Sequence, residues 1–122
     1  VAQEQSLIMT FDLSKILTTC PAACQFHSRI IKNLFFAVSK RNQLLVEKLW
    51  HISRRTTREK LISYLSQEAA RNGSSSSTIP FNRQQLADFL SVDRSAMSAE
   101  LGKMRDQGLI EFERNRFTLL NK

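Results

Sequence analysis

Apolar and polar residues alternate along the chain with two periods, one typical of helices and one typical of strands. From residue 22 to residue 52 there is no Gly or Pro, and apolar side chains return every three or four positions, which is the spacing of one helix face. This pattern predicts a single long helix. Ahead of it, the apolar run Ser6–Phe11 predicts a short strand, and Asp12 or Ser14 is placed to cap a brief helix through 15–17.

A heptad repeat marks one face of the predicted long helix. Its members are separated alternately by four and three residues, the period of a two-stranded coiled coil. Asn42 occupies a core a position, where a single Asn costs stability but favours a parallel dimer in fixed register. We therefore expect dimerisation along this seam; the alternative is that the helix packs on its own chain and leaves Asn42 exposed. The dimerisation seam comprises Ile31, Phe35, Val38, Asn42, Leu45, Leu49 and Ile52.

A second amphipathic helix is predicted directly after the first. An apolar stripe at helical spacing indicates a helix over 53–72, and Thr56 with Glu59 has the sequence of a capping box. Gly73 is expected to end this helix, because glycine readily adopts the left-handed conformation found at helix ends. The serines at 74–77 predict a flexible connecting loop.

The remaining residues predict two short helices and a β-hairpin. Asn82 is a suitable cap for a helix over Arg83–Leu90. After a tight turn, Asp93 caps a second helix over Arg94–Gln107, and alternating apolar residues on both sides of Arg114 then predict the hairpin. The predicted core between the two helices contains Leu86, Leu90, Val92, Met97 and Leu101, and Ala87 is the small residue expected where the second helix crosses the first. The predicted fold class is therefore mainly α with a small β component: a long dimerisation helix followed by a winged helix-turn-helix domain.

Charge points to the same kind of partner as the predicted fold. The net charge is +7, from 18 basic and 11 acidic residues, which favours a polyanion. The basic excess is spread over both halves of the chain, so folding must assemble any binding surface. A winged helix-turn-helix domain with this charge predicts binding to double-stranded DNA.

The second helix of such a motif enters the major groove with its N-terminal end first. Arg94 is the best candidate to read a base, because a guanidinium can donate two hydrogen bonds to guanine O6 and N7; its alternative role is a phosphate contact. The candidate base-facing residues are Arg94, Ser95, Ser98 and Ala99. Phosphate contacts are predicted for Thr78, Asn82, Arg83 and Gln84 at the entrance of the first helix and for Arg114 and Arg116 at the hairpin tip. Lys103, later on the second helix, is a further DNA-binding candidate.

The stretch Ile79–Ile110 resembles the helix-turn-helix of the Crp–Fnr family of bacterial transcription regulators. Thr57–Leu65 resembles the first helix of that family's DNA-binding domain, and residues 22–52 resemble its dimerisation helix. The first nineteen residues resemble the end of its cyclic-nucleotide-binding β-roll. The resemblance implies a homodimer that reads a near-palindromic promoter site, recruits or blocks RNA polymerase, and carries a sensor domain upstream. The domains implied are a sensor remnant over 1–19, a dimerisation helix over 20–53 and a DNA-binding domain over 54–122.

Four residues depart from the family's usual pattern. Family members often have Glu or Gln where this chain has Ser95, and many have a second Arg where it has Ala99. Ser91 stands where Gly is common, and Glu100 where an apolar or small residue is usual. The family's half-site sequences are therefore not carried over. Its nucleotide-phosphate cassette is not in this sequence, so no cofactor is expected in this chain and no effector can be assigned.

Other chemistry finds little support in the residues. The sequence has no pattern of a catalytic triad, a Gly-rich phosphate loop or paired carboxylates, so an enzyme is not expected. Cys20 and Cys24 are too few for an iron–sulfur cluster and are expected to be free thiols. His27 and His51 lie far apart and are expected on the surface or in packing contacts rather than on a metal.

The sequence also bears on cellular location and on the kind of partner that the domain binds. No stretch approaches the ~18 continuous apolar residues of a membrane span, and there is no secretory signal pattern, so we expect a reducing cytoplasm and no membrane partner. The alternative to specific DNA binding is a winged helix that docks a protein partner, which an exposed apolar second helix would favour. RNA is a weaker option, because the deep A-form major groove excludes a helix.

Overall fold

A computed structural model of the chain describes residues 5–18 and 25–120. These residues fold mainly into helices with one small antiparallel sheet, which confirms the predicted fold class. In chain order the elements are α1 (Leu13–Thr18), α2 (Gln25–Ile52), α3 (Thr57–Asn72), β1 (Ser76–Thr78), α4 (Arg83–Leu90), α5 (Arg94–Asp106), β2 (Ile110–Glu113) and β3 (Arg116–Leu119). Within the described part of the chain, no helix has both the length and the apolar character needed to cross a membrane.

The chain divides into two compact units, Val1–Gln43 and Leu44–Lys122, and α2 crosses their boundary. In the first unit, α1 begins after Asp12, whose carboxylate accepts hydrogen bonds from the backbone amide of Ser14 at 3.1 Å and from its hydroxyl at 2.6 Å. The strand predicted over 6–11 is wrong, because these residues have no regular structure. A strand needs a neighbour to take up its backbone hydrogen bonds, and the three described strands pair only with one another.

The long helix α2 agrees with its prediction over the residues that the structure describes. It runs unbroken to Ile52, as expected where neither Gly nor Pro interrupts a helix. Residues 22–24, which were predicted to begin this helix, lie outside the described residues, as do Cys20 and Cys24. The predicted domain boundary after residue 19 also lies there, and the boundary after residue 53 stays a prediction.

The helix predicted from residue 53 begins four residues later. The Thr56 hydroxyl accepts a hydrogen bond from the Glu59 amide at 3.2 Å, and the Glu59 carboxylate accepts one from the Thr56 amide at 3.5 Å. This confirms the capping box and fixes the start of α3 at Thr57, since a cap residue lies outside the helix proper. Residues 53–56 instead form the turn between α2 and α3. Gly73 ends α3 with a φ of 60°.

The serine-rich segment after α3 is only partly a loop, so the predicted flexible connector over 74–77 is corrected. Its second half belongs to β1, which pairs with β3 in a sheet of order β1-β3-β2. Ser76 lies opposite Thr118 in this pairing. The strand therefore depends on a partner much later in the chain, which local composition does not reveal.

Helices α3, α4 and α5 and the sheet enclose one apolar core. The order α4, turn and α5, followed by the β2–β3 hairpin (the wing), is the predicted winged helix-turn-helix. Four of the five predicted core residues are fully buried, as is Ala87 at the predicted crossing, and Val92 packs against them half-buried. The core consists of Leu61, Tyr64, Leu65, Ile79, Leu86, Ala87, Leu90, Met97, Leu101, Met104, Ile110 and Phe117.

Candidate nucleic-acid interface

Helix α5 has one buried face and one exposed polar face. Met97, Leu101 and Met104 occupy the core with at most 1% of their surface exposed. The helix begins at Asp93, whose carboxylate accepts a hydrogen bond from the Ala96 amide at 2.8 Å. In a helix-turn-helix, this first turn is the part that reaches base edges. The buried stripe and the cap therefore hold the exposed face of α5 in place.

The four predicted base-facing residues share that exposed face. Arg94, Ser95, Ser98 and Ala99 are all exposed to solvent. The Ser95 hydroxyl donates a hydrogen bond to the Asp93 carboxylate, and this bond is the main reason that the pKa of Asp93 is lowered. The Ser98 hydroxyl donates to the carbonyl oxygen of Arg94 at 2.9 Å. Both serine protons are thus used within the chain.

These internal bonds decide what each side chain can offer to a base. A hydroxyl has one proton to donate but two lone pairs, so Ser95 and Ser98 present their oxygens as acceptors. Acceptors match the amino groups that adenine N6 and cytosine N4 display in the major groove. Arg94 carries only donors and forms no ion pair within residues 5–18 and 25–120. Its guanidinium is therefore available to guanine O6 and N7.

The entrance of α4 is built by a reciprocal cap. Asn82 Oδ1 accepts a hydrogen bond from the Gln85 amide, and Gln85 Oε1 accepts one from the Asn82 amide, both at 2.9 Å. Gln84 donates to the Asp88 carboxylate at 2.9 Å. The side chains of Asn82 and Gln84 therefore stabilise the helix itself, while the positive end of its dipole remains available to a phosphate.

The side chain of Arg83, the first residue of α4, packs against two aromatic rings of the wing. Its guanidinium carbon lies 4.8 Å from the ring centre of Phe112 and 4.9 Å from that of Phe117. From the last turn of α5, Arg105 approaches the Phe112 ring at 5.4 Å. Burial lowers the pKa of Arg83, and no carboxylate of the described residues pairs with it. The cluster thus places a positive charge beside the N-terminus of α4 with no carboxylate of the described residues paired to it.

The wing lies next to the segment that leads into α4. Thr78, at the end of β1, is opposite Arg116 on β3. The Ile79 amide donates to the carbonyl of Asn115 in the wing turn at 2.9 Å. Arg114, in the same turn, is exposed and has a φ of 52°. The wing arginines and Thr78 thus lie in one region of the molecule.

The predicted site residues consequently fall into two groups, one on α5 and one around the α4 entrance and the wing. Lys103 lies on the exposed side of α5, 4.0 Å from the Glu100 carboxylate. Sequence reasoning missed Arg105 and Phe112 as neighbours of Arg83. The hydrophobic pattern does not show that the last turn of α5 contacts the wing. The basic residue Arg105 near the end of that helix was the one feature of the sequence that pointed to a contact there.

The predicted dimerisation seam on α2 is largely uncovered in the single chain. Phe35 is 75% exposed, Val38 67% and Leu49 60%. Asn42 is also exposed, and Ile52, at the end of the helix, is half-buried. A row of large apolar side chains in water is unusual for a monomeric protein.

Comparisons with known proteins agree with this architecture. The family model described as the Crp-like helix-turn-helix domain matches residues 59–122. The solved structure of FixK2 from Bradyrhizobium japonicum has the same fold, with a TM-score of 0.63 and 18% identical residues. The match covers 77% of this chain and 48% of FixK2, so the chain spans about half the length of that protein. No curated protein sequence matches the chain.

Proposed function

Because the chain belongs to the Crp-like helix-turn-helix family of DNA-binding transcription regulators, we propose that it binds a specific, near-palindromic promoter site as a homodimer. In this proposal α5 is the recognition helix. Arg94 donates to a guanine, and Ser95 and Ser98 accept from base amino groups at neighbouring positions, with Ala99 in apolar contact beside them. In this proposal the protein acts in the cytoplasm, where bacterial promoters lie.

The observation that carries the proposal is the polarity of α5. The residues exposed along it are small or polar, while every large apolar residue on it is buried. A helix that docked a protein partner would need apolar side chains at its exposed surface, because these supply most of the binding energy. A small, polar and basic face is instead suited to the major groove.

Phosphate contacts position the recognition helix. Around the α4 entrance and the wing, the candidates are Thr78, Asn82, Arg83, Gln84, Arg114 and Arg116, joined by Lys103 on α5. Arg83 is the strongest of these, since its unpaired charge is held rigidly against two aromatic rings. Such contacts raise affinity for all sequences alike.

The homodimer is supported by the exposed seam on α2. Pairing two copies through the seam would cover Phe35, Val38 and Leu49 and place Asn42 opposite its counterpart. Two recognition helices one turn of DNA apart, about 34 Å, would then read two half-sites. Recruitment or blocking of RNA polymerase, and control by an effector-sensing domain, belong to the same proposal.

Selection of bound duplexes from a pool of random DNA tests the proposal. We expect enrichment of a sequence with two-fold symmetry, with guanine among its most constrained positions. Enrichment of a single, asymmetric half-site would contradict the homodimer but retain specific DNA binding. Recovery of no sequence, with duplex binding that salt abolishes, would contradict specific recognition and favour a protein-docking role.

A further inference from the structure

Helix α5 is tied to α3 by a half-buried ion pair. Arg58 Nε on α3 donates to Glu100 Oε1 on α5 at 2.5 Å. The Glu100 side chain is only 18% exposed and that of Arg58 35%. A charge-assisted bond of this kind is both shorter and more directional than an apolar contact. It is also the only ion pair between α5 and another element within the described residues.

Glu100 and Arg94 lie on opposite sides of the buried stripe of α5. Successive helix residues are about 100° apart, so Glu100 lies about 60° from Met97 on one side of the buried stripe. Arg94 lies about 60° from Met97 on the other side. Close packing of the apolar stripe seats α5 against the core, and the bond to Glu100 adds a directional polar contact at one edge of that stripe.

A second bond from α3 holds the other helix of the motif. Lys60 Nζ donates to the backbone carbonyls of Leu90 and Ser91 at 3.3 and 3.4 Å, where α4 ends. The first turn of α3 thus contacts both helices of the helix-turn-helix through polar bonds. Lys60 bonds to the end of α4, and Arg58 bonds to the side of α5.

We propose that Arg58 and Glu100 are positioning residues for DNA reading: their ion pair sets the rotation of α5 and so the aim of Arg94, Ser95 and Ser98 in the major groove. This inference rests on the proposed function. A rotation of about 20° moves a side-chain tip on a helix of this diameter by about 2 Å. Hydrogen bonds to bases tolerate only a few tenths of an ångström. Phosphate contacts tolerate more, because the attraction is largely charge to charge.

Because Arg58 and Glu100 carry opposite charges, an effect on the rotation of α5 can be distinguished from an effect of net charge on DNA affinity. Arg58→Gln removes a positive charge and should weaken binding to random DNA, whereas Glu100→Gln removes a negative charge and should strengthen it. If the pair sets the aim of α5, both variants lower the specificity ratio, which is the affinity for the selected site divided by that for random DNA. We expect each to lower it about tenfold, the cost of one misplaced base contact.

The experiment measures this ratio on the full chain, at one salt concentration, for the wild type and four variants. The double variant Arg58→Glu with Glu100→Arg restores an ion pair in reversed order, and we expect it to recover most of the ratio. The matched control is Arg71→Gln, which removes another arginine of α3, one that pairs with Glu47 and Glu68 rather than with α5. The control should lower the melting temperature and leave the ratio unchanged.

The outcomes separate this inference from the function on which it rests. A wild type that prefers no sequence would contradict the proposed function and remove the basis of the inference. A wild type that discriminates, with single variants that keep its ratio within about twofold, would overturn the positioning role alone. An equal fall in the ratio for Arg71→Gln would overturn it too, because the loss would then follow from stability rather than from the aim of α5.

Discussion

The Nδ1 atom of His51, in the last turn of α2, lies 2.8 Å from the hydroxyl of Ser63 on α3. The imidazole is 2% exposed and meets the ring of Tyr64 edge-on, at 5.6 Å between centroids. Glu47 on α2 and Arg71 on α3 form an ion pair within the same unit. The end of α2 is thus part of the packing of the winged domain, through a histidine that is held away from water.

Stability should depend on pH through His51. Burial is the main cause that lowers the pKa of His51, against the opposing effect of the Glu47 charge. The unfolded chain therefore takes up a proton near the ordinary histidine pKa of about 6.5, whereas the folded chain does so only at lower pH. The full contribution is present above pH ~6.5, and we expect the free energy of unfolding to fall as pH decreases from about 7 to 5. Urea unfolding across that range measures it.

Two variants of the same contact identify the group responsible. His51→Gln should flatten the dependence between about pH 5 and 7, whatever its effect on stability at neutral pH. Ser63→Ala removes the hydrogen-bond partner but leaves the imidazole buried, so it should keep the slope. A wild-type slope that survives in His51→Gln would assign the dependence to other groups.

The residue that ends α4 is predicted to be a site for stabilisation. Ser91 has a φ of 52°, a left-handed conformation that costs an L-residue free energy but not glycine. Ser91→Gly should therefore raise the free energy of unfolding by about 0.5–1 kcal/mol. Ser66→Gly, at an exposed position inside α3, is the matched control and should lower it by a similar amount. A loss of stability on Ser91→Gly would mean that its side chain contributes more than the backbone strain costs.

The oligomeric state should depend on the seam of α2. Leu45 is 53% exposed in the single chain, and in the proposed dimer it packs against its counterpart. Sedimentation at micromolar concentration should show a dimer for the wild type and a monomer for Leu45→Asp, because a buried unpaired charge costs several kcal/mol. Phe36→Asp changes an apolar residue that is 69% exposed on the side of α2 away from the seam, and it should leave the dimer intact. Dissociation by both variants alike, or a monomeric wild type, would count against the seam.

The helices and their caps could be predicted because their determinants are local. Thr56 and Glu59 lie within one turn of each other, and the absence of Gly and Pro over α2 is visible directly. Pairing between distant segments cannot be read from the local sequence. Strand β1 forms because it pairs with β3. Residues 6–11 form no strand, and no described strand pairs with them. The motif was enough to predict which residues of α5 are exposed, and their contact with bases stays a prediction. The contacts of Arg83 with Phe112 and of Arg58 with Glu100 could not be predicted, since each joins side chains distant in sequence.

Arg94 provides the most direct test of sequence reading by α5. The measurement compares the affinity of wild type and Arg94→Ala for the selected duplex and for random duplex at the same salt concentration. Arg114→Ala, which removes an exposed arginine from the wing turn, is the control and should weaken both complexes equally. For Arg94→Ala, we expect a loss of about 1–3 kcal/mol on the selected site and much less on random DNA. An equal loss on both duplexes would show that Arg94 contacts only phosphate, and would contradict base reading by the first turn of α5.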